Sequence, residues 1–153
     1  MYQSILVPFD NSDQAKNALK EALGIAKSCD AQITVLSIAD LPDFSDPSFM
    51  MTAHMTGVVQ SNGEGAADVQ RQFYTLQEDN LVKDTAEIIG TFPNVKYCAK
   101  VGKPQIAIAE LSESEHYDLI VMGCRGLGAF RGAVGSVSRA VVHSVNVPVL
   151  LVK

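Results

Sequence analysis

The sequence has few of the features that mark secreted, membrane-spanning or metal-binding chains. Its 153 residues include three cysteines, Cys29, Cys98 and Cys124, with no CxxC pair. This odd count argues against a disulfide framework and favours a reducing cytoplasm. No apolar run approaches the length of a membrane span, and the amino-terminal segment lacks the basic residues of a signal peptide. The three histidines are far apart in the sequence and lack ligand spacing, so we expect no metal site.

Basic residues are also scarce. The chain has 12 Lys and Arg against 17 Asp and Glu, for a net charge of −5, and no basic run. Such a balance argues against nucleic acid as a partner. With 47% hydrophobic and 19% charged residues, the composition is typical of one globular domain that covers residues 1–153.

Short apolar segments alternate with segments of helical periodicity along the chain. Strands are predicted over residues 4–9, 31–38, 95–101, 119–122 and 147–152. Helices are predicted over residues 14–28, 66–90, 104–115 and 134–143. This order predicts an α/β fold: a doubly wound, five-stranded parallel sheet with helices on both faces, of Rossmann-like type.

The segment 41–65 breaks this alternation. It contains Pro42, Pro47 and three methionines, Met50, Met51 and Met55, and it is predicted to be a long irregular loop. Two interpretations remain open. The methionines form a mobile apolar lid over a pocket, or the segment is a disordered excursion.

A glycine-rich segment separates the fourth predicted strand from the last helix. Glycines in such a turn let the backbone approach a phosphate closely, and N–H groups at a helix start carry partial positive charge. Ser136 is predicted to cap that helix and to donate to an oxyanion. Arg125 and Arg131 lie beside the segment, and guanidinium groups suit phosphate. The alternatives are a turn that binds nothing and arginines that are solvated surface charges.

Two residues near this predicted site, Asp10 and Cys124, have competing interpretations. In a doubly wound sheet, ligands bind at the carboxyl ends of the strands where the strand order reverses, which places the end of the first strand beside Gly123. Asp10 would contact such a ligand or cap the first helix, a role for which Ser12 competes. Cys124 is more typical of a small buried residue than of a redox-active thiol.

The ordered set of segments resembles the universal stress protein family in its single-domain form. The resemblance covers nearly the whole chain and rests on residues 5–12, 36–40, 101–104, 118–123, 126–128, 135–138 and 147–152. Nucleotide-binding members of that family carry Gly-x-x-Gly, nine residues, then Gly-Ser or Gly-Thr. Here Gly123, Gly126, Gly135 and Ser136 match, but eight residues separate Gly126 from Gly135.

The resemblance implies a cytoplasmic protein that binds ATP, with Mg²⁺ to neutralise the phosphates. Pro8, Asp10 and Ile38 would surround the base and ribose. Gly123 and Gly126 would lie against ribose and phosphate. The residues expected to donate to the terminal phosphates are Gly135, Ser136 and Val137.

Three functions are compatible with these residues. The first is binding of an adenine nucleotide as a regulatory ligand in a stress response. The second is slow ATP hydrolysis or autophosphorylation at Ser136 or Ser138, although no Asp or Glu follows Asp118 to act as a base. The third, favoured by the eight-residue spacing, is an interaction module that binds no nucleotide. Residues Val147–Val152 form an apolar final strand that we expect to pair with its own copy in a homodimer.

Overall fold

The computed structural model describes residues 1–39, 46–57, 66–125 and 134–153. Its sheet is built from β1 (Ser4–Pro8), β2 (Gln32–Ala39), β3 (Val95–Val101), β4 (Leu119–Gly123) and β5 (Val149–Val152). The strands are parallel and lie in the order β3-β2-β1-β4-β5. The predicted five-stranded parallel sheet is therefore confirmed, and the strand order reverses between β1 and β4.

The helices connect successive strands and cover both faces of the sheet. They are α1 (Asp13–Cys29), α2 (Pro47–Met55), α3 (Ala66–Ile89), α4 (Pro104–Ser114) and α5 (Ser136–Ser144). Among the described residues, every helix is too short or too polar to cross a bilayer. The predicted α/β architecture is thus the one that the chain adopts.

The core lies in two layers because successive side chains of a strand point to opposite faces of the sheet. Ile5 and Val7 face one layer, where they pack with the buried alanines and leucines of α1 and with Leu81 and Ile89 of α3. Leu6 faces the other layer, which contains residues of α4 and α5: Ile108, Leu111 and Val141. Residues of both layers are almost completely buried, as expected for the central strand of a doubly wound sheet.

Helix α2 corrects the prediction of an irregular segment over 41–65. Pro47 occupies the first turn of this helix, where its missing N–H costs nothing. Asp46 caps this helix, since its carboxylate accepts a hydrogen bond from Ser48 N at 2.8 Å. Met50 packs with Ala53 and Val69, whereas Met51 and Met55 are exposed. The rest of the segment, residues 41–45 and 58–65, lies outside the described residues.

Candidate functional site

The carboxyl ends of β1, β2 and β4 meet at one edge of the sheet, and most of the predicted site residues lie there. The pairing of β1 with β2 continues past Pro8, because Phe9 N donates to Leu36 O at 2.8 Å. Asp10 follows directly, and Ile38 lies two residues after Leu36 in β2. Gly123 ends β4, the neighbour of β1 on its other side. The fold therefore places these residues at the point where the strand order reverses.

The turn after β1 orients the carboxylate of Asp10. Asp10 Oδ1 accepts hydrogen bonds from the backbone N of Ser12 at 3.1 Å and from its hydroxyl at 2.6 Å. The hydroxyl oxygen of Ser12 in turn accepts from Ala15 N at 3.2 Å and caps α1. Ser12, not Asp10, is the N-cap. Asp10 is solvent-exposed, and its carboxylate is the type of group that accepts hydrogen bonds from an amino group or hydroxyl.

Asn11 gives the same turn its shape. Its φ of 63° lies in the left-handed region, which asparagine tolerates better than most residues. Its side-chain amide donates to Asp84 Oδ2 at 3.3 Å, a contact that links the turn to α3. The position of Asp10 at the end of the sheet is thus held by two sets of hydrogen bonds, those from Ser12 to Asp10 and that from Asn11 to Asp84.

Pro8 and Ile38 are both half-buried at this edge. Ile38 packs against the core layer that includes α4 and α5. It therefore serves the core in any case, as expected for an apolar residue near a strand end, while part of its surface remains accessible at the edge. A planar apolar group such as a nucleobase is suited to a surface of this kind.

Gly123 is required by the approach of α1 to the end of β4. A Cβ at this position would lie 2.9 Å from the Cβ of Gln14 and 3.0 Å from its carbonyl carbon. The first distance is shorter than real Cβ contacts allow, and the second is tighter than most of them and involves a backbone atom. The glycine therefore has a structural role in addition to any contact with a ligand.

Helix α5 begins beside this glycine, with backbone amides that no side chain caps. Its N-cap is Gly135, with no side-chain cap hydrogen bond, and Ser136 occupies the first helical position. The prediction that Ser136 caps the helix is wrong, since its side chain lies one residue too late to accept from the first turn. Ser136 is exposed and Val137 half-buried. The first N–H groups of a helix have no partner within it, so this terminus can bind an anion.

Two hydrogen bonds join the start of α5 to the end of β4. Gly135 N donates to Cys124 O at 2.7 Å. The hydroxyl of Ser138 donates to Gly123 O at 2.9 Å. Ser138 was missed as a structural residue by the sequence analysis, where it was considered only as a phosphate acceptor. The sequence feature that indicates a buried position for Ser138 is its spacing of three residues from Val141, which places both on the inner face of the helix.

The part of the chain that contains β4, α5 and β5 carries a net positive charge. Residues 119–153 contain three arginines, one lysine and no Asp or Glu, although the chain as a whole is acidic. Arg125 is half-buried two residues after the end of β4, and Arg139 is exposed on α5. Cys124 is buried, which confirms its interpretation as a small core residue. Gly126 and Arg131 lie outside the described residues.

Two groups outside this edge have shifted pKa values. Burial raises the pKa of the Cys98 thiol, on β3, and of the Tyr117 hydroxyl. Tyr117 precedes β4 and therefore lies at the opposite, amino end of the strands. Both groups remain protonated at neutral pH, so neither supplies a thiolate or a phenolate as a nucleophile.

Comparisons with known proteins agree with this architecture. The family model described as the universal stress protein family matches residues 1–153. A universal stress protein of Methanocaldococcus jannaschii is 30% identical over 155 residues, which cover 100% of this chain and 83% of that protein. The structure of universal stress protein UspA from Lactobacillus plantarum matches with a TM-score of 0.74 and 26% identity, over 99% of this chain and 98% of that one.

A further solved structure with this fold carries a ligand. It is a universal stress protein in complex with cAMP, which matches with a TM-score of 0.64 and 23% identity, over 99% of this chain and 97% of that one. At this identity the likeness concerns the fold. The match of the family model over all 153 residues, with the strand order and the carboxyl-edge geometry described above, leads to one conclusion. The chain belongs to the universal stress protein family.

Proposed function

We propose that the protein binds an adenine nucleotide, ATP, as a regulatory ligand in a stress response, and that it acts as a homodimer. The observation that carries the proposal is the uncapped amino terminus of α5, which lies beside the end of β4 in a part of the chain without acidic residues. The amides of Ser136 and Val137 would donate to the terminal phosphates, whereas the amide of Gly135 already donates to Cys124 O. The cAMP complex supports this ligand class, because a protein with the same fold binds an adenine nucleotide.

The base and ribose would lie at the end of the site near β1 and β2. Pro8 and Ile38 offer half-buried apolar surface, and Asp10 offers a carboxylate whose orientation Ser12 fixes. Gly123 and Gly126 would lie between the two ends of the nucleotide, against the ribose and the inner phosphate. This arrangement provides an acceptor at the base end and donors at the phosphate end, which matches the polarity of ATP.

A divalent cation would be held by the nucleotide more than by the protein. Among the described residues, no three His, Cys, Asp or Glu side chains come together as a metal site. The phosphates of ATP provide the hard oxygen ligands that Mg²⁺ prefers. The protein residues therefore fit Mg²⁺ that arrives with ATP, and we expect chelation of Mg²⁺ to weaken the binding of ATP without affecting the folded chain.

Calorimetric titration with ATP and Mg²⁺ tests the proposal, with Ser136→Asp and Ser136→Asn as matched variants of nearly equal shape. The aspartate places a negative charge where the phosphates would lie. Two unit charges about 4 Å apart in water repel by about 1 kcal/mol, so the affinity for ATP should fall by at least about fivefold. The asparagine variant should bind like the wild type. Failure of the wild type to bind at millimolar ATP would refute the proposal.

The dimer would form along β5, because the two edges of the sheet differ. Edge strand β3 exposes Lys96 and Lys100, and charged side chains protect an edge from pairing. Edge strand β5 has the sequence VLLV and leaves Leu150 38% exposed. An open groove of about 370 Å³ beside it is lined by Val134, Arg139, Val142, His143 and Leu151. A second copy would cover this apolar surface.

Analytical ultracentrifugation of Leu150→Lys tests this interface, with Val82→Lys as the control. Val82 lies on α3 and is 42% exposed, close to the value for Leu150. Only the substitution on β5 should convert the dimer to a monomer. A wild type that sediments as a stable monomer at micromolar concentration would refute the dimer.

The free thiols of all three cysteines support the placement of the protein in the cytoplasm.

A further inference from the structure

We infer that Ser138 is a positioning residue for the phosphate-binding amides, an inference that rests on the proposed function. Its side chain holds the first turn of α5 against the end of β4, and through this contact it fixes where the amides of Ser136 and Val137 lie. Ser138 itself would not touch the nucleotide.

The first argument is the burial of the hydroxyl and its acceptor. Ser138 is 2% exposed, and its hydroxyl donates to Gly123 O at 2.9 Å, across 15 residues of sequence. Buried serines in helices commonly donate to a carbonyl one turn earlier in the same helix. The bond from Ser138 instead joins two elements of the fold, so its loss would free one element from the other.

The second argument is that other hydrogen bonds lie next to the one from Ser138. Gly135 N donates to Cys124 O at 2.7 Å, and Cys124 N donates to Val152 O at 2.7 Å. These bonds and the one from Ser138 form a clasp that joins the end of β4 to the first turn of α5 and to β5. Gly123 in turn is pressed against Gln14 of α1. The position of the carbonyl that Ser138 binds is therefore constrained by its neighbours. The hydrogen bond from Ser138 holds the start of α5 at a defined distance from this carbonyl.

The buried hydroxyl also separates Ser138 from Ser136 in function. Ser136 is exposed at the first helical position, whereas Ser138 is covered and its proton is directed at a backbone carbonyl. A buried hydroxyl with this geometry is poorly placed to accept a phosphoryl group. The structure therefore assigns Ser138 a role in orientation and leaves Ser136 as the serine that a ligand can reach.

The test compares Ser138→Ala with Ser112→Ala. Ser112 on α4 is equally buried, at 1% exposure, but its hydroxyl donates at 2.8 Å to Ala109 O in its own helix. The Ser138 variant should bind ATP about fivefold more weakly, the equivalent of one net hydrogen bond, with little change for adenosine. The Ser112 variant should keep both affinities, and Ser138→Thr, which retains the hydroxyl, should recover most of the affinity for ATP.

Hydrogen exchange of the Gly135 amide, measured by NMR without nucleotide, gives a second readout. Ser138→Ala should accelerate this exchange by about fivefold, whereas Ser112→Ala should not change it. Equal exchange in the two variants, or equal losses of affinity for ATP and adenosine, would overturn the inference. A wild type that binds no ATP would refute the proposed function instead, and the exchange rate of Gly135 would still decide whether Ser138 maintains the clasp.

Discussion

The close approach of Gly123 to α1 allows the effect of one added methyl group, in Gly123→Ala, on stability to be predicted. In Gly123→Ala, the new Cβ would lie 2.9 Å from Gln14 Cβ and 3.0 Å from both Gln14 C and Arg125 O. Two of these three atoms belong to the backbone and cannot rotate away. Helix α1 or the end of β4 must therefore shift by several tenths of an ångström.

The cost of this shift can be compared with that of the same substitution where space is available. Overpacking a rigid contact costs about 1–3 kcal/mol, while the loss of glycine flexibility in the unfolded chain returns about 0.4–1 kcal/mol. Gly123→Ala should therefore lower the free energy of unfolding by about 1–2 kcal/mol. Gly24 lies inside α1, and a Cβ there would meet no atom within 4 Å. Gly24→Ala should raise the free energy by about 0.5–1 kcal/mol through helix propensity.

Urea unfolding followed by circular dichroism measures both values. The two variants should move the midpoint in opposite directions at equal protein concentration, which must be fixed because a dimer unfolds with a concentration-dependent midpoint. In thermal unfolding, Gly123→Ala should lower the Tm by several degrees, since about 1 kcal/mol corresponds to about 2–4 °C in a domain of this size. A Gly123→Ala protein as stable as the wild type would refute the argument from close approach.

Three further predictions concern Ser12, Tyr117 and Cys98. Ser12→Ala should cost about 1 kcal/mol of stability, because α1 loses its cap, and should weaken ATP binding, because Asp10 loses the side chain that orients it. Burial raises the pKa of Tyr117, so the unfolded chain releases this proton first as the pH increases; stability should fall above about pH 10, and less steeply in Tyr117→Phe. Burial also raises the pKa of Cys98, so its alkylation by iodoacetamide at pH 8 should be slower than that of glutathione.

Each of these predictions has a result that would contradict it. For Ser12, the affinity for adenosine tests the orientation of Asp10 separately from the stability of the fold. An adenosine affinity equal to that of the wild type would contradict the role of Ser12 in orienting Asp10. For Tyr117, a pH profile identical to that of the phenylalanine variant would show that its hydroxyl does not titrate differently on folding. For Cys98, peptide mapping after alkylation should recover mostly unmodified thiol, and rapid labelling would contradict its protection by burial.

The sheet and most helices could be predicted because their signals are local and periodic. The strands β1 and β4 are apolar on both faces, and α1 shows an unbroken amphipathic pattern after a capping serine. Helix α2 escaped prediction because its hydrophobic pattern has almost no periodicity. It packs through a small cluster around Ala53 and Val69, and Pro47 lies in its first turn.

The candidate site was less predictable, because its geometry depends on contacts between distant parts of the chain. The motif indicated the glycines, but it could not show that Gly123 is required by Gln14, which is 109 positions earlier in the sequence. It also could not assign the cap of α5 to Gly135 or reveal the bond from Ser138 to Gly123. A hydroxyl at a helix start has the same sequence signal whether it faces a ligand or the core.

The bonds around Gly123 also bear on the spacing of the glycine motif. The amides that the proposed site requires belong to Ser136 and Val137 in the first turn of α5, and α5 is joined to the end of β4 through Cys124 O and Gly123 O. These anchors lie outside the eight residues that separate Gly126 from Gly135. The spacing alone is therefore a weak argument against nucleotide binding.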